Sequence, residues 1–191
     1  MGYKSLAQMP AHRNGPVSSN VRPHKMTVAA REVLEDCSQA VAGLVDGLQG
    51  NEWRRQWILA IALLRAVGHV LDNVDGKRTP KYRIAITNWW KSIGRTKPDP
   101  TIFWQFIEQE RNLILKEYQM NAGQGVSIRV PLAYFNVKTG EKWTTPPLPT
   151  LYHYTINAGP YKGRDQRNVL KEGIEWWANQ LNAIDEAASE V

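Results

Sequence analysis

Through residues 27–120, apolar residues recur at three- and four-residue intervals, the spacing that puts side chains on one face of an α-helix. The first helical stretch starts at Thr27, a residue able to cap it, and carries Leu34, Val41, Leu44, Val45 and Leu48 until Gly47 and Gly50 stop it. Asn51 is a plausible cap for the second, whose stripe of Trp53, Trp57, Ile61, Leu64, Val67, Gly68 and Leu71 ends at the turn pair Asp75-Gly76. Thr79-Pro80 reads as the cap and first position of a third helix reaching Gly94, with Tyr82, Ile86, Trp89 and Ile93 inward. Asp99-Pro100 repeats that signal before a fourth, with Ile102, Phe103, Phe106, Ile107, Leu113, Ile114 and Tyr118, running out at Asn121-Ala122-Gly123. Short connections between these stretches imply antiparallel packing.

The period then changes. Residues 126–130 alternate as a half-buried strand does; residues 132–137 follow, then the turn Lys138-Thr139-Gly140 and a partner strand over 142–145. Three prolines at 146, 147 and 149 interrupt it, and residues 151–156 suit a short edge strand. Asp165 then caps a last helix with Leu170, Ile174, Trp177, Leu181 and Ile184 on one face. Residues 1–26 carry Pro10, Pro16 and Pro23 with no helical period and read as a flexible basic arm. The expectation is a mainly α protein. An antiparallel helical bundle spans 27–191 as a single domain, with a small β-hairpin insertion at about 126–156 and a C-terminal helix.

Composition narrows the classes. One cysteine among 191 residues excludes an internal disulfide framework and favours a reducing, cytoplasmic setting. The best apolar run, residues 57–64, is interrupted by Arg65, short of the roughly 18 residues a membrane span needs, so no membrane role is expected. The net charge of +6 is segregated. Residues 1–31 hold five bases and no acid, residues 32–75 seven acids against three bases, and residues 76–98 seven bases and no acid. That last block contains Lys77, Arg78, Lys81, Arg83, Lys91, Arg95 and Lys97 around Trp90. Such a block can neutralise phosphates while an aromatic ring stacks on bases. Alternatively, it can dock on the acidic 32–75 helices of its own chain or of a second copy.

The sharpest chemical signal lies on the fourth helix, where Glu108, Arg111, Asn112 and Lys116 fall on neighbouring ridges. An arginine there can hold a phosphate and stabilise developing charge, a polar neighbour can orient it, and a following acid–base group can move the proton. On Arg111, Asn112 and Lys116, and on the four-helix layout of residues 28–120, the chain resembles the HEPN superfamily. Those are helical bundles whose Arg-polar-x-x-x-His motif lies on a late helix. The resemblance implies a metal-independent ribonuclease site, active in a dimer in which two motifs face one cleft. Lys116 stands where the motif has histidine. A lysine is an ammonium at neutral pH, so that position supplies charge where the motif supplies a base. His69, four residues after Arg65 on the second helix, would provide the missing imidazole if the second and fourth helices pack together. The plainer alternatives are solvent-facing pairs of Glu108 with Arg111 and Asn112 with Lys116, and a polar cluster in which Asp72 fixes His69.

Other chemistries find no support. Four scattered histidines and one cysteine give no zinc spacing, no G-x-S-x-G elbow occurs, and no phosphate loop or dinucleotide fingerprint is complete. No metal or cofactor is therefore expected. The loop 159–165 with Lys162, Arg164 and Arg167 reads as an anion site at a helix start or as a glycine-rich turn. The functional expectation is an HEPN-like bundle that interacts with RNA or a partner protein, with little or no catalysis, and forms a homo-oligomer. The alternatives are a non-enzymatic oligomerisation module without a nucleic-acid role and a dimeric ribonuclease.

Overall fold

The computed structural model describes residues 26–127, 131–146 and 151–190; of the arm read over residues 1–26, all but Met26 lies outside them. The chain is mainly helical, with two small antiparallel strand pairs and a C-terminal helix. In order come α1 (Val28–Ala42), α2 (Gly50–Asn73), a 3-10 turn (Asp75–Lys77) and α3 (Pro80–Arg95). A widened π-helical segment (Ile102–Ile107) leads into α4 (Glu108–Glu117). Strands β1 (Ala122–Ser127), β2 (Ala133–Phe135), β3 (Lys142–Thr144) and β4 (Leu151–Ile156) follow, then α5 (Gln166–Ser189).

Helix α2 is the axis of the bundle and touches α1, α3, α4 and α5. Its Trp57, Ile61, Leu64, Val67 and Leu71 are fully buried. With the turn that follows, Gly50–Lys77 is long and apolar enough by length and composition to cross a membrane. Arg65, which interrupts the apolar run in the sequence, does not interrupt the helix. Here its apolar face is covered by the other helices. Across α2, Phe103 meets Trp90, Trp104, Trp176 and Trp177 at ring separations of 5.8, 4.7, 5.2 and 5.7 Å. Offset and edge-on contacts of this kind are the preferred aromatic geometries. Gly68 makes room for them: a Cβ there would stand 2.9 Å from Trp177 Cη2 and 3.2 Å from Trp90 Cη2.

Both ends of the sequence reading of α1 need correction. Thr27 makes no side-chain cap bond. The cap comes from Asp75, fully buried, whose carboxylate accepts from the amides of Ala29 (3.2 Å) and Ala30 (2.9 Å). A carboxylate at a helix N-terminus satisfies orphan amides and opposes the positive end of the helix dipole, whichever element supplies it. The helix stops at Ala42, short of Leu44, Val45 and Leu48; Leu44 is buried from the loop, while Val45 is 55 % exposed. Gln49, not Asn51, occupies the cap position of α2. Thr79 and Asp165 cap α3 and α5 as expected, Thr79 accepting from the Tyr82 amide and Asp165 from those of Arg167 and Asn168.

The β region begins earlier than expected, at Ala122. β2 and β3 form the anticipated hairpin, with Tyr134 opposite Trp143. β4 does not join it. It pairs antiparallel with β1, Ala122 opposite Ile156 and Ser127 opposite Leu151. Gln166, buried at the start of α5, donates to the carbonyls of Gly123 and Thr155 and accepts from Trp53 Nε1, fastening the β1–β4 ribbon to α2.

Candidate functional site

The placement of α4 depends on Glu110, a carboxylate only 2 % exposed. It accepts from Trp57 Nε1 of α2 at 3.2 Å and from the Asn121 amide beyond α4 at 2.9 Å. Burial raises its pKa, and those hydrogen bonds offset only part of the rise. With Glu110 turned inward, Arg111 lies along the seam between α4 and α2. A cleft of about 170 Å³ opens there, lined by Ile58, Ile61 and Ala66 among others, with Arg65, His69 and Arg111 as its charged and polar members.

Arg65 forms an ion pair with Glu108, and its guanidinium carbon lies 5.6 Å from the centroid of the Phe103 ring. Its Nη1 is buried and has no hydrogen-bond partner among the described residues. An unmet buried donor of this kind costs about 1–3 kcal/mol. Arg111 Nη1 donates to Asn112 Oδ1 at 2.9 Å and leaves the rest of its guanidinium fork uncommitted among the described residues. The His69 imidazole is exposed, and its pKa is lowered by partial desolvation, then by Arg65 and Arg111. Glu108 and Asp72 oppose that shift without reversing it. His69 is therefore mainly neutral at pH 7.

The packing brings together two of the four residues read as catalytic, Arg111 and His69, and adds Arg65. Asn112 adjoins them through Arg111. Lys116 is exposed and does not line the cleft. Five residues on from Arg111, it lies well over a third of a turn round the helix. The plainer pairings do not form as expected either. Glu108 pairs with Arg65, not Arg111; Asn112 accepts from Arg111; and Asp72 pairs with Arg83 at 2.9 Å instead of fixing His69.

The basic block 76–98 divides. Arg83 is held by Asp72, and Arg78 by buried Asp75 at 3.1 Å, so these two are matched within the chain. Lys97 Nζ lies 3.6 Å from the centroid of the Trp104 ring. Lys77, Lys81, Lys91 and Arg95 are exposed and have no acidic partner among the described residues. Lys81, Asn88, Lys91 and Arg95 share the outer face of α3 with Ile84. Trp90 is half-buried and packs edge-on against Trp89 and Phe103, committing much of its ring to the core. At the start of α5, Asp165 already takes the first amides, Arg167 bonds Asp165 and Asp46, and Arg164 bonds Glu172. The glycine loop is thus a capped turn with Arg164 and Arg167 engaged and Lys162 exposed.

Elsewhere, Ser127 Oγ and His153 Nε2 lie 2.8 Å apart on the β1–β4 ribbon, with no acid bonded to the imidazole among the described residues. Cys37 is buried, and desolvation pushes its thiol up to about 12, which removes it as a nucleophile. No cluster of three or more histidine, cysteine or acidic side chains suited to a metal occurs among the described residues. No protein-family model matches the chain, and no curated protein and no solved structure is significantly similar to it.

Proposed function

We propose that this chain is an HEPN-like RNA-binding bundle that grips phosphate in the α2–α4 cleft. The observation supporting this reading is the convergence of Arg65, His69 and Arg111 on one cleft, with a buried Arg65 N–H that lacks an acceptor. Arginine forks suit phosphate oxygens, and a donor already desolvated gains most from an anionic acceptor. The exposed cations Lys77, Lys81, Lys91 and Arg95, without an acidic partner among the described residues, add electrostatic attraction that carries no sequence information. The test is fluorescence anisotropy with a labelled single-stranded RNA at several salt concentrations. Arg111→Ala should weaken binding about 5- to 20-fold and reduce the salt slope by about one. Unchanged affinity and slope would sink the proposal.

One observation favours a catalytic version of the same site. A neutral imidazole beside an arginine is the pairing that 2′-hydroxyl activation and phosphate stabilisation need. In this version His69 takes the 2′-hydroxyl proton as that oxygen bonds to phosphorus, and Arg111 stabilises the phosphorane charge. The P–O5′ bond breaks as the imidazolium returns its proton to the leaving oxygen, giving a 2′,3′-cyclic phosphate. Cleavage would then need no metal, fall with His69→Ala and Arg111→Ala, and be indifferent to Lys116→Ala. A Lys116→Ala variant that loses cleavage while His69→Ala retains it would reverse that assignment.

A further inference from the structure

All six strand residues of the β2–β3 hairpin are exposed. Tyr134 and Trp143 stack on one face with ring centroids 5.9 Å apart and planes 15° from parallel. Phe135 lies on the other face, with Lys142 Nζ 5.8 Å from its ring. Leu132 is 61 % exposed and Val137 is 86 % exposed. A two-stranded hairpin left alone in water is marginal, and it becomes stable once further strands join it. An apolar surface of this size on a small insertion is the signature of a contact surface.

The hydrogen-bond pattern shows which edge is open. The Thr145 amide donates to the Leu132 carbonyl and the Asn136 amide to the Glu141 carbonyl. Antiparallel ladders alternate, so Tyr134 and Trp143 form the bonded pair between them, and the N–H and C=O of Ala133 and Phe135 point outward. The outer edge of β3 instead carries Lys142 and Thr144, and an edge lysine discourages strand addition. Among the described residues β2 has no such guard.

We infer that the β2 edge is a homodimer surface: two copies pair β2 against β2, antiparallel about a twofold axis near Tyr134. This inference is independent of the RNA proposal. In that arrangement Ala133 of each copy faces Phe135 of the other, and the outward amides and carbonyls satisfy one another. The two Tyr134 side chains meet in a non-bonded pair, the closer of the two antiparallel geometries. One face of the resulting four-stranded sheet then carries a continuous row of Trp143, Tyr134, Tyr134 and Trp143.

Edge geometry and charge favour a second copy over RNA. Pairing lets the outward amides and carbonyls of Ala133 and Phe135 satisfy one another and sets the half-exposed Tyr134 and Phe135 rings against the partner strand, a small contact of the kind that gives a weak, concentration-dependent dimer. The cations Lys138 and Lys142 are partly offset by Glu141, leaving one net positive charge, so two copies approach with little repulsion while a phosphate chain finds little grip.

The test is sedimentation velocity of the full chain from low to high micromolar concentration, joined to cysteine trapping. The wild type should pass reversibly from monomer to dimer. Ala133→Pro removes an amide that the hairpin itself does not use, and should hold the protein monomeric with an unchanged helical circular dichroism spectrum. Because Cys37 is buried, Tyr134→Cys should oxidise to a disulfide-linked dimer, while Val137→Cys at the turn should stay monomeric under the same oxidant. A wild type that remains monomeric throughout overturns the inference. So does a dimer that survives Ala133→Pro, or a monomer whose Tyr134 and Trp143 are shielded only by added single-stranded RNA.

Discussion

Asp185→Ala removes the junction at which α1, α3 and α5 meet. The carboxylate, 6 % exposed, accepts from Thr27 Oγ1 and Tyr82 Oη at 2.9 Å, from the Met26 and Thr27 amides at 3.3 Å, and from Arg31 Nη2 at 2.8 Å. The Arg31 side chain is 23 % exposed and can turn to water, so its share is discounted. Thr27 and Tyr82 cannot, being 0 % and 6 % exposed. Stranding their buried donors costs about 1–3 kcal/mol each, and losing one side of a buried charged network costs about 3–5 kcal/mol in all. A domain with 5–15 kcal/mol to lose would be crippled without necessarily unfolding. Asp185→Asn keeps one acceptor oxygen and should lose about half as much. Urea denaturation followed by circular dichroism reads the change as a shifted midpoint at constant slope.

The same carboxylate sets the pH dependence. Burial alone would raise its pKa, but hydrogen bonds from Arg31, Tyr82 and Thr27 prevail and hold it below the ordinary 3.8. A carboxyl lowered in the folded state contributes stability above its unfolded value and loses it as pH falls through the folded one. The gap between wild type and Asp185→Ala should therefore be full at neutral pH and narrow below about pH 3.8. A loss under about 1 kcal/mol at pH 7, within the range of ordinary surface substitutions, would refute the reasoning.

Glu110→Gln should raise the melting temperature at neutral pH. Burial lifts the folded pKa of Glu110 above 4.5, so its contribution is present below that value and is lost as pH rises through the folded pKa. Glutamine keeps an acceptor for Trp57 without the charge; a variant less stable than wild type at pH 7 would contradict this account. Gly68→Val should cost about 2–4 kcal/mol and alter the near-ultraviolet circular dichroism of the tryptophan cluster, because its Cβ would meet Trp177 at 2.9 Å. An unchanged melting temperature would mean that the cluster yields more easily than its packing implies.

Which parts were legible in the sequence follows from which interactions are local. Caps such as Thr79 and Asp165 act within one turn, and the stripe of α2 repeats within itself, so both could be read directly. The cap of α1 comes from Asp75, 45 residues from the Ala30 amide it accepts, and nothing near Thr27 announces it. Likewise β1, with the sequence AGQGVS, has little strand propensity of its own. It is extended because β4 and Gln166 hold it, and a Cβ at Gly123 would require the exposed Asn157 side chain to turn aside. At the candidate site, Arg111 and His69 were visible as residue types, but their shared cleft depends on the packing of α2 against α4. In the sequence Arg65 stands only as a neighbour of His69 and a break in an apolar run; its place in the cleft comes from packing. The signal was present: a lone cation on a buried stripe, one turn before a histidine.

The antiparallel ribbon of β1 and β4 has a practical consequence. Because Ser127 is opposite Leu151, the chain departs for residues 128–150 and returns at adjacent points, only about 5 Å apart at the Cα atoms. Excising that stretch and joining the two strands with a tight Asn-Gly turn should leave the helical bundle its register. The same seam offers a port for grafting a foreign loop or reporter. The excursion can thus be exchanged as a cassette without disturbing the α2–α4 cleft.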